Sequence, residues 1–489
     1  MRALLASLLL MISVETTADT AWQRTLEAIR DKPFPAVTET GVPTEKLVRC
    51  DDGIDRPYLY VIPERYDAAR ATPMLVYLHG LTNRPELIED RVRFVNETPL
   101  TELAAEMGWI IVFPFSQHES NWFIDIGMNK INDIVTAMKR DFNIDDDRVW
   151  LGGFSDGGSA SFSMSMLAAD HFAGFLPLSG QMGVAAQDTG VHLYPANMAS
   201  SRHYVVNTGL DNLYPAKEMR KTVELANRAG ANITFNEYDD IKHTFEYADA
   251  EMENFRRFLS ESVREPTTDR IIWKTATPEH GRRLWLSIDA VSDGEAESWH
   301  VDHDMILTDE RITVGFIPDW EFAGPGASVV SLVDGDTYAR RAGLAAGDII
   351  TSANGTDITE LGVLLSTLQT LRPESALSLT VQREGKALEL DGKLNPMKRY
   401  PLFPRTLPSG MIDARYADNT FTVKTSRVDT FSLHIHPEMV DLASPVKVVW
   451  NGETVYDARV APDKALLETQ HASSGERKNL YVAHLTFHR

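Results

Sequence analysis

A single cysteine, Cys50, in 489 residues excludes an intrachain disulfide framework. Long apolar runs are also missing. Beyond an almost unbroken stretch from Ala3 to Val14, no segment holds the ~20 consecutive apolar residues that a membrane-spanning helix needs. Positive charge is in short supply: 48 Lys and Arg face 70 Asp and Glu, for a formal net charge of -22. That balance argues against nucleic acid and anionic membrane surfaces as partners. Neither a metal nor another cofactor is expected. What the chain does have is a hydrophobic fraction of 43%, enough for a large core, and a length beyond that of one ordinary domain.

The N-terminus pairs Arg2 with the apolar run, followed by Thr16, Thr17 and Ala18. This reads as a secretory signal peptide over residues 1–18, with cleavage expected near Ala18; a buried N-terminal helix is the alternative. Cys50 is not at a lipid-attachment position after that run. The mature protein is expected to be soluble and exported, periplasmic or extracellular.

From about residue 73 short apolar runs alternate with helical segments. The runs are Met74–Leu78, Trp109–Phe113, Val149–Leu151, Phe175–Leu178, Tyr204–Val206 and Ile233–Phe235; helices are expected at Pro99–Met107, Ile126–Phe142, Ala216–Ala229 and Glu251–Val263. Strands without polar alternation, separated by helices, predict a mostly parallel sheet covered on both faces. This α/β domain is placed at residues 19–264. A short helix (Ala21 to Asp31) and two strands (Lys46–Cys50 and Pro57–Ile62) precede the alternation. Beyond Glu265-Pro266 the pattern turns to strands, at Ile271–Lys274, Leu284–Ile288, Thr420–Lys424, Thr430–Ile435, Val446–Trp450 and Leu480–Phe487. The turn Trp450-Asn451-Gly452-Glu453 signals a hairpin. Residues 267–305 and 411–489 are read as one β-rich domain, split by a distinct module at 311–395 and by a Pro-containing linker, Pro401–Gly410.

Chemistry concentrates at Gly153-Phe154-Ser155-Asp156-Gly157. A G-x-S-x-G pentapeptide alone is weak, but this one follows the run Val149–Leu151 and precedes an apolar helical stretch, Ala160–Ala169. That strand–turn–helix setting is what a nucleophile elbow requires. Ser155 is therefore the candidate nucleophile, at a helix N-terminus where the Asp156 N–H can meet a developing oxyanion. A serine hydroxyl needs a base, and the base an orienting carboxylate, in the chain order Ser, acid, His. Asp211, just after the strand ending near Thr208, and His243, in the loop before the last helix, fit by position. Asp239 and Asp240 are rival acids, and His203 and His192 rival bases by residue type alone. The loop Leu78-His79-Gly80-Leu81-Thr82 offers the Leu81 N–H as second oxyanion donor, with His79 packing beneath the site. Trp122, Phe123 and Tyr214 are candidate pocket walls, with core packing as the competing role.

Tyr77-Leu78-His79-Gly80, the elbow around Ser155, Thr208-Gly209-Leu210-Asp211 and Lys242-His243-Thr244-Phe245 together resemble the esterase, polyhydroxybutyrate-depolymerase and feruloyl-esterase branch of the α/β-hydrolases. The resemblance covers residues 55–262 and implies a Ser-His-Asp triad, without specifying the substrate. Prolyl-oligopeptidase-like peptidases share the layout, but the N-terminal propeller of that subclass is not expected here.

Within the module stand Val329–Val333, Tyr338-Ala339-Arg340-Arg341-Ala342-Gly343-Leu344, Ala345-Ala346-Gly347-Asp348-Ile349-Ile350 and Ala353-Asn354-Gly355. Together they resemble a bacterial PDZ domain of the kind carried by periplasmic trypsin-like proteases. The resemblance implies that a peptide C-terminus adds as a strand beside Gly315-Phe316-Ile317, its carboxylate held by the loop Thr313-Val314-Gly315-Phe316. A scaffold module that binds nothing is the alternative. The leading expectation for the whole is an exported carboxylic ester hydrolase; a serine peptidase with PDZ-assisted substrate recruitment is second, and a catalytically silent binding protein third.

Overall fold

The computed structural model describes residues 21–82, 89–309 and 312–489, so the expected signal peptide at 1–18 lies outside the described residues. The chain forms two compact units, Met1–Asp304 with Leu402–Arg489, and Met305–Pro401.

The first unit begins with helix α1 (Ala21–Arg30) and strands β1 (Pro43–Arg49) and β2 (Asp55–Val61). Then come β3 (Thr72–Leu78), α2 (Val92–Glu97), α3 (Leu100–Met107), β4 (Ile110–Pro114), α4 (Asp125–Asp141), β5 (Ile144–Phe154) and α5 (Asp156–Leu167). The series closes with β6 (Gly174–Leu178), α6 (Val184–Thr189), β7 (Arg202–Thr208), α7 (Ala216–Arg228), β8 (Asn232–Tyr238) and α8 (Ala248–Glu261). One eight-stranded sheet runs in the order β1-β2-β4-β3-β5-β6-β7-β8. The β1–β2 and β2–β4 pairs are antiparallel, and every pair from β4 to β8 is parallel. The central strands β3, β4 and β6 are buried along almost their whole length, which is why they read as unbroken apolar runs. Leu75, Trp150, Leu176, Val206, Phe255 and Leu259 knit sheet and helices into one core.

The strands that follow are β9 (Arg270–Thr275), β10 (Arg282–Arg283) and β11 (Leu286–Val291). In the second unit come β12 (Ile306–Asp309), β13 (Phe316–Pro318), β14 (Ala327–Leu332), α9 (Tyr338–Ala342), β15 (Ile349–Ala353), β16 (Thr356–Asp357), α10 (Leu361–Gln369), β17 (Ala376–Arg383), β18 (Lys386–Lys393) and β19 (Lys398–Pro401). Its main sheet runs β13-β14-β15-β17-β18, with β13 at one edge, around a core of Val329, Tyr338, Ile350, Leu364 and Leu379.

The first unit resumes with β20 (Gly410–Ala417), β21 (Thr420–Ser426), β22 (Val428–Ile435), β23 (Val446–Trp450), β24 (Glu453–Ala458), α11 (Lys464–Ser474) and β25 (Ala483–His488). With β9–β11 they make a four-stranded sheet, β10-β11-β22-β25, and a five-stranded one, β24-β23-β21-β20-β9. The two share a core of Trp273, Trp285, Phe421, Phe431 and Val448. Asn451 and Gly452, at φ 48° and 92°, turn β23 into β24 as the hairpin motif requires. Helix α11 and strand β18 were not foreseen as elements. Mostly exposed residues build both, so no apolar periodicity marks them.

Candidate active site

Strand β5 delivers Phe154 to the sheet edge and α5 starts at Asp156, leaving Ser155 alone in the turn at φ 59° and ψ -120°. Such a conformation is costly for a non-glycine residue and is held only where the surroundings over-determine it. Here the Ser155 N–H donates to Leu178 O at 2.9 Å, and its carbonyl accepts from the Ser159 N–H and Oγ at 2.9 and 3.2 Å. A Cβ on Gly157 would stand 2.0 Å from Leu78 O, so only glycine lets the elbow press against the end of β3.

Asp211 and His243 lie on neighbouring loops bonded to each other: the Leu210 N–H donates to Ile241 O at 3.0 Å and Thr208 Oγ1 to Lys242 O at 2.9 Å. His243 Nδ1 is 2.6 Å from Asp211 Oδ2, while Asp211 Oδ1 accepts from the Leu213 and Tyr214 N–H groups at 2.7 and 2.9 Å. The His243 ring packs on Phe154 at 4.7 Å, the residue that precedes Ser155. No hydrogen bond or ion pair joins His243 to Asp239 or Asp240 among the described residues; Asp211 is its carboxylate partner. His203 is buried and stacked on Phe175 at 5.3 Å, at the start of β7, and burial pushes it down to about 3. His192 bonds to Thr406 at 3.1 Å and not to Asp211, whose ring partner is His243.

The loop after β3 lies against the elbow: a Cβ on Gly80 would be 2.9 Å from Ser155 Cβ. Leu81 follows at φ 56° and is 63% exposed. His79, buried beneath, accepts the Ser116 N–H on Nε2 at 3.0 Å; its ring proton therefore sits on Nδ1, which donates to Gly80 O at 2.6 Å. In a trans peptide the C=O and N–H point in opposite directions, so fixing Gly80 O inward turns the Leu81 N–H away from the buried ring. Neither the Leu81 nor the Asp156 N–H has a protein acceptor among the described residues.

The aromatic pocket candidates divide. Trp122 is fully buried; its Nε1 donates to His79 O at 3.1 Å and its ring meets His79 at 5.4 Å, so it supports the loop from within the core. Phe123, 4% exposed, borders a cavity of about 300 Å³ that none of Ser155, Asp211 and His243 lines. Tyr214 does stand at the site: its ring is 6.1 Å from His243 and its hydroxyl donates to Asp156 Oδ1 at 3.1 Å. Burial, and then the Asp156 charge, raise its phenol above the usual range.

Sequence reasoning missed three supports. Thr82 donates from its N–H and Oγ1 to Asp156 Oδ2 at 3.1 and 3.2 Å, and Ser116 Oγ donates to Thr82 O at 3.0 Å. Lys130, fully buried in α4, donates to Phe115 O and to Ser120 O and Oγ at 2.8, 3.0 and 2.8 Å, and burial pushes it down to about 7. Its signal in the sequence was a lysine on the same helical face as Ile131 and Ile134, which are also buried.

In the second unit Val314 is buried, with its carbonyl accepting from the Ala339 N–H at 2.8 Å. Gly315, at φ 95°, approaches Thr337 so closely that a Cβ would lie 2.3 Å from Thr337 Cβ, and its carbonyl accepts from the Val333 N–H at 3.0 Å. Phe316 and Ile317 begin the edge strand β13, where Ile317 is 48% exposed, and Pro318 ends it.

Sheet order, elbow and acid and base loops at one sheet edge define an α/β-hydrolase fold, joined in the same chain to a PDZ domain. Residues 65–263 match the family described as Phospholipase/Carboxylesterase, and residues 305–394 the PDZ domain family. Among curated relatives, the bifunctional acetylxylan esterase/xylanase of Neocallimastix patriciarum is 33% identical over 114 residues, 22% of this chain and 16% of that protein. The periplasmic serine endoprotease DegP of Salmonella typhimurium is 34% identical over 89 residues, 18% of this chain and 19% of that protein. The chain thus spans less than a fifth of the length of either relative. Among solved structures, a thermostable esterase is 18% identical with a TM-score of 0.36, covering 45% of this chain and 63% of its own. Dipeptidyl peptidase 4 of Porphyromonas gingivalis is 13% identical with a TM-score of 0.36, covering 46% and 36%.

Proposed function

We propose that the chain is an exported serine hydrolase that cleaves carboxylic esters. One observation carries the reading: a serine held at φ 59° between strand and helix, whose neighbour Phe154 packs 4.7 Å from a histidine with its Nδ1 2.6 Å from a buried carboxylate. The match of residues 65–263 to the phospholipase/carboxylesterase family and the similarity to an acetylxylan esterase support ester chemistry.

In this reading Ser155 Oγ attacks the acyl carbon while His243 Nε2, the nitrogen not engaged by Asp211, takes its proton. The Leu81 and Asp156 N–H groups receive the oxyanion. Collapse breaks the acyl–oxygen bond, and His243 gives the proton to the departing alcohol. Water then loses a proton to His243 and attacks the acyl-enzyme. The acid leaves as the proton returns to Ser155. Asp211 holds the Nδ1 proton in place and stabilises the imidazolium throughout. At the PDZ domain a peptide C-terminus adds along Phe316 and Ile317, with its carboxylate at Val314-Gly315. Residues 1–18 direct export to the periplasm or the cell exterior.

A fluorophosphonate probe and p-nitrophenyl acyl esters test the proposal. Wild type should be labelled and Ser155→Ala should not, with ester turnover exceeding that of aminoacyl and peptidyl anilides. An unlabelled wild type overturns the hydrolase reading. Anilide cleavage with negligible ester turnover replaces it by a peptidase.

A further inference from the structure

The side chain of Asp156 has a place in the site that its backbone role does not explain. One oxygen, Oδ2, takes both the N–H and the hydroxyl of Thr82, at 3.1 and 3.2 Å; the other, Oδ1, takes the Tyr214 hydroxyl at 3.1 Å. Thr82 directly follows Leu81 in the loop beside Ser155, and Tyr214 donates its own N–H to Asp211 at 2.9 Å. Three loops that are far apart in sequence therefore meet on one carboxylate: the elbow, the loop after β3, and the loop that carries Asp211.

We propose that the Asp156 carboxylate is a positioning hub, which fixes the Leu81 N–H relative to Ser155 by gripping Thr82 and ties the Asp211 loop to the same point through Tyr214. The inference rests on the hydrolase reading and assigns a second role within that site. Hydrogen bonds to a carboxylate are stronger than neutral ones, and two from a single residue restrain both its position and its rotation. Ser116 Oγ holds the Thr82 carbonyl from the opposite side at 3.0 Å, so the residue after the oxyanion donor is clamped at both ends. A negative charge beside an oxyanion would ordinarily oppose catalysis. Here it stands in the first turn of α5, where the helix dipole favours it, and three donors share its charge. Tyr214 is suited to permanent donation, because burial and the Asp156 charge both keep its phenol protonated.

Asp156→Ala removes the carboxylate and keeps the backbone N–H, so it isolates this role. Its kcat on a p-nitrophenyl ester should fall about 30- to 100-fold with KM within about threefold, since a misplaced oxyanion donor is felt in the transition state. Thr82→Val should cost less, and the Thr82→Val/Asp156→Ala double variant should lose no more than Asp156→Ala alone. If Asp156→Ala fails to fold, the isosteric Asp156→Asn takes its place. Hydrogen exchange gives a readout independent of turnover: the peptide containing Leu81 and Thr82 should exchange faster in Asp156→Ala than in wild type, and unchanged in Ser155→Ala. Losses that multiply in the double variant, kcat within twofold of wild type, or unaltered exchange at Thr82 overturn the hub. An unlabelled wild type in the fluorophosphonate assay overturns the hydrolase reading instead, and leaves the exchange measurement to decide the hub.

Discussion

His243 Nδ1 lies 2.6 Å from Asp211 Oδ2, and the other oxygen of Asp211 is already committed to two backbone N–H groups. That commitment decides what an isosteric substitution does. In Asp211→Asn the amide oxygen must stay with the Leu213 and Tyr214 N–H groups, which turns the NH2 toward His243. Nδ1 then has to accept, the ring proton moves to Nε2, and the nitrogen that should take the serine proton is blocked. The expected outcome is a folded protein with kcat about 10³- to 10⁴-fold lower, as for the same exchange in a serine protease triad. Steady-state ester kinetics beside circular dichroism check it, and a loss under tenfold would mean that Asp211 does not set the tautomer.

The pairing of Asp211 with His243 was legible in the sequence because its signals are one-dimensional. Apolar runs mark the ends of β5, β7 and β8, chain order ranks acid before base, and both residues follow a strand at the same sheet edge. Thr82 and Asp156 could not be paired that way. They are 74 positions apart, and their contact depends on the left-handed turn at Leu81 and on side-chain rotamers rather than on any period. Trp122 stays open between pocket wall and core packing in the sequence for a related reason: an aromatic beside such a loop has the same sequence whether it faces substrate or holds up His79. Helix α11 escaped because Leu467 is its one buried residue and its start rests on the Asp463 cap to the Ala465 N–H.

Glu476 is buried among cations. It pairs with Lys139, with Arg264 at 2.8 Å and with His171 at 3.3 Å, and so pins the segment after α11 to the base of the hydrolase sheet. Burial alone would raise its carboxyl, but Arg264 and Lys139 outweigh burial and hold it well below the usual range. Removing it leaves Arg264 and Lys139 buried with, among the described residues, Asp146 and Asp147 as carboxylate partners. Glu476→Ala should therefore cost about 3–5 kcal/mol in urea unfolding, and a cost below about 1 kcal/mol would show that the two aspartates suffice.

Acid should weaken the same junction. Burial lowers the folded-state value of His171 from 6.5, so the unfolded chain takes up its proton first and stability starts to fall as pH drops through about 6.5. The contribution of Glu476 is complete above its unfolded value of 4.5 and is lost only as pH falls through its depressed folded value. Both act in one direction. The urea midpoint should drop between about pH 7.5 and about pH 5.5, and His171→Phe should flatten that drop. An unchanged slope in the variant would exclude His171 as its source.

The PDZ unit should be removable without loss of the hydrolase fold. The chain leaves the first unit at Asp304 and returns at Leu402, and the Asp304 side chain accepts the Phe403 N–H at 2.9 Å. Two residues further on, the Arg405 guanidinium donates to His303 O at 2.9 Å, so exit and re-entry are already stapled together within the first unit. Inside the excised segment Ile306 pairs with Pro401, which shows independently that its two ends are adjacent. A linker of a few glycines then spans the gap at little entropic cost, because loop-closure entropy changes slowly with length. Replacing Met305–Pro401 by such a linker should leave kcat/KM on a small p-nitrophenyl ester within about twofold of the full chain, since Leu81, Ser155, Asp156, Asp211 and His243 all lie outside the excised segment. A deletion variant that is folded by circular dichroism but at least tenfold less active on that small ester would show that the PDZ domain takes part in forming the active site, and would end the description of it as an independent module.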